Sequence, residues 1–418
     1  VISVTNSDNI EIIVGGSVTS TPGFMAGATY CGLKAPGPGK LDLGLLCARV
    51  PCVAAGVFTT NRMKAAPVQV CQDRLAAAPQ AQAVIVNAGI SNAGSGHEGL
   101  ITAERMTELA AQKLKLAPSL VLVASTGKIG YQIPLDKIAA GLKQLAVSVD
   151  GGHDLARAIM TTDTRPKEIA VRFPVQGGRL AGSGPWITVA GVAKGAGMIH
   201  PNMATMLAFI TTDAAVEPGF LQMALRRAAD RTFNMISIDG DTSTSDTLLI
   251  LANGLAGNAP IRHGTALARR FQAALDMVCL HLAKEIAGDG EGATRLVEVT
   301  VRGAISTEDA RKAARTIVSS NLTKCAIHGA DPNWGRIAAA AGRSGALMDQ
   351  FRLDVTIGDV VLMKDGTPLP FDVAAARAAL SGDTVTISVD FHLGLAEATA
   401  WGCDMSEEYV TFNSEYTT

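Results

Sequence analysis

Short runs of β-branched and aliphatic residues alternate along the chain with Ala- and Leu-rich stretches whose apolar positions recur at helical spacing. Residues 83–87 (AVIVN) and 119–125 (SLVLVAS) read as buried strands, each closed by a glycine-containing turn. Between them, residues 101–116 carry apolar side chains at helical intervals, which gives a strand–helix–strand unit. Further helices are predicted at 218–232, 264–287, 306–319 and 371–380. Further strands are predicted at 168–173, 186–190, 206–212, 247–252, 295–301, 352–363 and 384–391. Alternation of this kind predicts an α/β or α+β chain rather than a helical bundle or an all-β protein. The main interruption is central, where the glycine-rich segment 191–204 (GVAKGAGMIHPNMA) gives way abruptly to the strand-like run that starts at Thr205.

Length adds a constraint. The chain has 418 residues, and single hydrophobic cores stop growing at roughly 250–300 residues. Two domains or one elaborate sandwich are therefore expected. With 48% hydrophobic and 18% charged residues, disorder is excluded. Aromatics are only 4%, so the core has to be filled by Ala, Val, Leu, Ile and Met. The 36 Lys and Arg nearly balance the 38 Asp and Glu, for a net charge of −2, which offers no electrostatic attraction for nucleic acid or an anionic membrane. Seven scattered cysteines without CxxC spacing indicate neither a disulfide framework nor a zinc knuckle. No stretch approaches the roughly 20 apolar residues of a membrane-spanning helix, and residues 1–30 show no leader pattern. A cytoplasmic enzyme acting on small molecules is expected.

Several motifs are weaker than they look. Gly94-Ser95-Gly96-His97-Glu98-Gly99 satisfies GxGxxG before a helix, as a nucleotide-binding oxidoreductase would. The linker from a strand ending at Asn87 is too long, however, and the next strand has no terminal acid for a ribose. The histidines show no HxxxH or HExxH spacing, so no metal site is expected. Asp239-Gly240-Asp241 and Asp289-Gly290-Glu291 resemble calcium loops only faintly, and such acids are ordinarily solvated. No GxSxG follows a strand, which argues against the usual hydrolase elbow. What remains is KGAGMIHPNMATML, Lys194 to Leu207. A threonine opening a strand is ordinarily structural, although a neighbouring amine could make its hydroxyl nucleophilic.

The block resembles the self-processing site of the ornithine acetyltransferase family, the bifunctional glutamate N-acetyltransferases, which break their own chain at the Ala-Thr bond of this motif. Further blocks extend the resemblance over essentially the whole chain: AGVFTTNRMKAAPV from Ala55, VASTGKIG from Val123, MTTDT from Met160, SIDGDTSTSDT from Ser237, GEGATR from Gly290, GADPNWGRI from Gly329, and the terminal EYVTFNSEYTT. The resemblance implies the layered α/β sandwich that this family shares with self-cleaving aminopeptidases, with a smaller C-terminal domain. It implies cleavage between Ala204 and Thr205 into an α chain 1–204 and a β chain 205–418, assembled as two of each. A cleaved Thr205 would hold nucleophile and α-amine base in one residue, while Thr126 and the Gly127 N–H would stabilise the oxyanion.

For the substrates, N2-acetylornithine and glutamate, the resemblance implicates Lys194, Thr161 or Thr162 of the TTDT block, Thr205, Glu291, Asn413 and Thr418. A cation suits an α-carboxylate, an acid suits the ornithine δ-ammonium, and neutral donors suit the amide. No cofactor is implied; acetyl-CoA is a possible co-substrate. Two departures stand out: NAGISNAGSG from Asn87, where the family has NSGNANA.TG, and Lys128 directly after Thr126-Gly127, a position that is usually apolar. The rival readings are a self-processed aminopeptidase or amidase, the oxidoreductase above, and an uncleaved, non-catalytic paralogue.

Overall fold

The computed structural model describes residues 9–175, 185–200 and 206–415. Ala204, Thr205 and Thr418 lie outside the described residues. In chain order the strands are β1 (Glu11–Ile12), β2 (Phe24–Thr29), β3 (Leu43–Phe58), β4 (Gln80–Ile90), β5 (Val121–Lys128), β6 (Lys167–Pro174), β7 (Trp186–Lys194) and β8 (Leu207–Thr212). They continue with β9 (Ile236–Ser237), β10 (Thr247–Ala252), β11 (Leu296–Ala304), β12 (Asp354–Ile357), β13 (Val360–Lys364), β14 (Thr367–Pro368), β15 (Thr384–Asp390) and β16 (Ala396–Cys403). The helices are α1 (Ala66–Ala77), α2 (Gly96–Leu114), α3 (Leu135–Gln144), α4 (Gly152–Ile159), α5 (Pro218–Arg231), α6 (Ala266–Gly288), α7 (Thr307–Val318), α8 (Asn321–His328), α9 (Trp334–Gly342), α10 (Val373–Leu380) and α11 (Glu407–Glu415).

The larger sheet runs β1-β6-β7-β8-β10-β3-β4-β5, with β2 paired to the first part of β3. Its central strands β8 and β10 are buried throughout, as strands covered on both faces must be. Successive side chains point to opposite faces: Leu207, Phe209, Leu249 and Leu251 join one apolar layer, whereas Ala208, Ile210, Leu248 and Ile250 join the other. Helices α1 to α4 supply the first layer, and α5 and α6 supply the second. The second layer also contains Val297, Val299 and Val301 of β11 and the inner face of α7. The smaller sheet, β14-β13-β12-β15-β11-β16-β9, therefore shares a core with the larger one.

These two sheets and their helix layers make up the expected α/β sandwich. Several boundaries differ from the sequence reading. Within the predicted strand 352–363 the chain forms a hairpin of β12 and β13 rather than one strand, because Gly358-Asp359 makes a two-residue turn. Helix α2 begins at Gly96, before the expected 101, and stops at Leu114, where Lys115 adopts a left-handed conformation (φ +58°). Strand β3 was not expected. Pro51 and the lack of alternation conceal it, and its ladder to β4 shifts register between Cys47 and Cys52, which accommodates a residue without an N–H. No described helix is long and apolar enough to cross a membrane.

Candidate active site

A cavity opens where the end of β5, the end of β7 and the beginning of β8 meet, closed by the turn after α6 and by α11. Thr126, Gly127, Thr161, Thr162, Lys194, Glu291 and Asn413 all line it, so seven residues from five distant stretches of sequence converge. Met206, which directly follows Thr205, lines it too.

The β5 wall needs a glycine. Gly127 pairs with Gly89 across the parallel β4–β5 ladder at φ +120°, and a Cβ there would sit 2.4 Å from the Gly89 carbonyl carbon. Only glycine combines that backbone conformation with such an approach. Its neighbour Thr126 accepts a hydrogen bond from Lys194 Nζ at 3.4 Å. Lys194 is 7% exposed. Burial pushes its ammonium below the usual lysine range, and the Asp163 carboxylate opposes that shift from 4.0 Å.

Asp163 is the most constrained of these groups. Burial alone would raise its pKa, but Lys194, Lys167 and the Gly195 N–H together hold it well below the usual carboxylate range. Its oxygens accept from Lys167 Nζ at 2.6 Å, Gly195 N at 2.6 Å and Thr161 N at 2.9 Å. The threonine-rich turn and the end of β7 are thereby fixed to one carboxylate. Thr161 and Thr162 both reach the cavity.

On the opposite wall, Glu291 accepts from Asn413 Nδ2 at 2.9 Å, and its own N–H bonds the Ala196 carbonyl at 2.9 Å. Gly197 makes room for this carboxylate: a Cβ there would lie 2.4 Å from Glu291 Oε1. The neighbouring Met198 takes a left-handed conformation (φ +57°), and Asp239 accepts from the N–H groups of both Met198 and Ile199. Burial raises the Asp239 carboxyl to about 6 despite those bonds. Asp246, 2% exposed, is raised as well, again chiefly by burial. Tyr409 is pushed up to about 12, by burial first and then by Asp239 and Glu291.

The expectation that the acids of the two glycine turns are solvated holds for the exposed Asp241 but fails for Asp289, which is buried, while Asp239 and Glu291 are only partly exposed. Asp239 and Asp241 line the cavity, and Asp289, 4% exposed, is bonded to Lys167 and Thr164. Asp239, Asp246 and Tyr409, which line the cavity, were also missed, as were Asp163 and Lys167, which lie outside its lining. The TTDT and SIDGDTSTSDT blocks contain three of them, but spacing alone cannot show which acids turn inward. The GxGxxG loop is instead closed on itself: Ser95 Oγ donates to Asn92 Oδ1 at 2.6 Å and Asn92 Nδ2 donates to the Gly99 carbonyl at 2.9 Å. Strand β4 extends to Ile90, so the linker before Gly94 is shorter than the sequence suggested. Lys128 lies outside the cavity lining, with Nζ 6.0 Å from the Tyr131 ring centre. Among the described residues, no group of three or more His, Cys, Asp or Glu could hold a metal ion.

Comparison with known proteins gives a consistent result. Residues 25–418 match the ArgJ family. The arginine biosynthesis bifunctional protein ArgJ of Symbiobacterium thermophilum is 51% identical over 96% of this chain and 99% of its own length. A crystal structure of the protein of that name from Bacillus halodurans is 45% identical, covering 50% of this chain and 98% of the crystallised one, with a TM-score of 0.49. The ornithine acetyltransferase of Mycobacterium tuberculosis, solved with ornithine, is 36% identical over 47% of this chain and 100% of its own, with a TM-score of 0.41. A family match that spans nearly the whole sequence, with a relative alike at every second position along its full length, makes this chain a member of the ArgJ family.

Proposed function

We propose that this ArgJ-family enzyme transfers the acetyl group of N2-acetylornithine to glutamate through an acetyl ester on Thr205, after opening its own Ala204–Thr205 bond. The observation that carries the reading is the convergence of Thr126, Gly127, Lys194, Glu291 and Asn413 on one cavity, beside the residue that follows Thr205.

In the first half-reaction the Thr205 hydroxyl attacks the acetyl carbonyl and the free α-amine takes its proton. The carbonyl oxygen becomes an oxyanion, for which the Thr126 hydroxyl and Gly127 N–H are suited donors. The carbon–nitrogen bond then breaks, the proton passes to the leaving amine, and ornithine departs. Glutamate's amine attacks the ester in the second half, expels the Thr205 oxygen and leaves as N-acetylglutamate. Lys194 offers a buried cation for the α-carboxylate of both substrates. Glu291, with Asp239 and Asp241 nearby, offers negative charge for the δ-ammonium. Acetylation of glutamate from acetyl-CoA fits the same acyl-enzyme, as does assembly from two α and two β chains. A cytoplasmic location fits these substrates.

Intact-mass measurement of the purified protein, combined with turnover of N2-acetylornithine with and without glutamate, tests the reading. Two chains divided before Thr205 and glutamate-dependent ornithine release are expected. Acetate release independent of glutamate would identify a hydrolase instead.

A further inference from the structure

Lys167 stands at the start of β6, fully buried, and does not line the cavity. Its Nζ donates to Asp163 Oδ1 at 2.6 Å and to Asp289 Oδ2 at 2.6 Å, with the Arg165 carbonyl at 3.5 Å. Both carboxylates have almost no side-chain exposure. Two ionised acids cannot share so dry a space unless a cation lies between them. Each acid leads directly to a different wall of the cavity. Asp163 holds the Gly195 N–H and stands 4.0 Å from Lys194 Nζ. Asp289 opens the turn that presents Glu291 two residues later, and it holds the Thr164 N–H at 3.1 Å as well.

We infer that Lys167 is a positioning residue for substrate binding: by bridging Asp163 and Asp289 it fixes the separation of Lys194 from Glu291 across the cavity. The inference rests on the proposed substrate roles of Lys194 and Glu291. Without the Lys167 ammonium, Asp163 keeps Lys194 as the remaining cation within ion-pair distance among the described residues, with Lys34 farther off, and draws Lys194 away from ligand, while Asp289 keeps Arg165, whose side chain is 47% exposed. The bridge also joins the two sides of the Ala204–Thr205 junction, since Asp163, Lys167 and Lys194 precede it and Asp289 and Glu291 follow it.

A role in holding substrate groups equally well in ground and transition states changes KM and leaves kcat alone, whereas general loosening of the site lowers both catalysis and stability. The test uses the full-length enzyme with Lys167→Met, nearly equal in length but uncharged, and Asp289→Asn, which keeps the shape of the acid and removes its charge. Steady-state KM and kcat for N2-acetylornithine are measured with glutamate saturating, together with the melting temperature and the chain pattern on denaturing electrophoresis. We expect KM to rise about tenfold or more in K167M, and several-fold in D289N, with kcat within about threefold of the parent. If K167M fails to fold, D289N decides. A folded variant with parental KM, or one in which kcat falls as much as KM rises, overturns the inference. A parent enzyme that does not release ornithine from N2-acetylornithine would instead refute the proposed function, so the two failures are distinguishable.

Discussion

Gly197→Ala separates site geometry from stability, because the atoms nearest the added methyl are the tip of one side chain. The new Cβ would lie 2.4 Å from Glu291 Oε1, 2.5 Å from Cδ and 2.6 Å from Oε2. Restoring ordinary contact requires the carboxylate to retreat by about 1 Å, a displacement large enough to cost up to about a hundredfold in rate when the group is part of a reacting assembly. The same retreat strains the 2.9 Å hydrogen bond from Asn413. Folding should hardly notice, since a flexible carboxylate yields readily and Gly→Ala removes roughly 0.4–1 kcal/mol of unfolded-state freedom where the backbone permits it. The expected result is a melting temperature within a few degrees of the parent and kcat/KM for N2-acetylornithine lower by about tenfold to a hundredfold. Thermal melts and steady-state kinetics on the same preparation measure both. A folded G197A enzyme with parental kcat/KM would refute the claim that the Glu291 position matters.

Further outcomes follow from the same geometry. Thr205→Ala should yield one uncleaved, inactive chain, seen by intact mass; a cleaved and active variant would relocate the nucleophile. Thr126→Ala should lower kcat by about a hundredfold to a thousandfold, the range expected for one oxyanion donor, while KM changes less. Gly127→Ala should cost about 1–3 kcal/mol or more, because the new methyl meets Gly89 backbone rather than a side-chain tip; an unchanged melting temperature would contradict the β4–β5 packing. Asp239 has a carboxyl raised to about 6 by burial, so the folded state holds its proton more tightly than the unfolded one. Its contribution to stability is complete below about pH 4 and is lost as pH rises through about 6. The melting temperature of the parent minus that of Asp239→Asn should therefore fall over that interval, and a flat difference would contradict the burial.

Much of the architecture is legible in sequence because its elements carry a clean period. Helices α5, α6, α7 and α10 and strands β6, β10 and β15 lie close to where their apolar spacing puts them. Strand β3 is hidden because both its faces are buried and it tolerates Pro51 at a register shift, so neither alternation nor composition marks it. The candidate site follows the same division. Lys194, Thr126 and Glu291 lie in motifs that resemble a known family. Lys167 does not touch the cavity, and its importance rests on two acids 126 residues apart, Asp163 and Asp289, which only the folded chain brings together. Asp239 illustrates the opposite error: next to glycine it looks solvated, yet it holds the two N–H groups that shape the turn after β7.

Strands β7 and β8 flank the Ala204–Thr205 bond and are hydrogen-bonded neighbours, while β8 and β10 are inserted between β7 on one side and β3 on the other. A single opening of the backbone between β7 and β8 thus leaves every ladder intact but changes the order of the unfolding reaction. Denaturation of an opened molecule releases two chains, so its refolding becomes second order, and its midpoint should rise with protein concentration in a way the uninterrupted chain cannot show. Dilution then becomes a thermodynamic variable for the opened form alone. Neither fragment can complete the larger sheet by itself, so separately made halves face the slow, aggregation-prone pairing of unprotected strand edges.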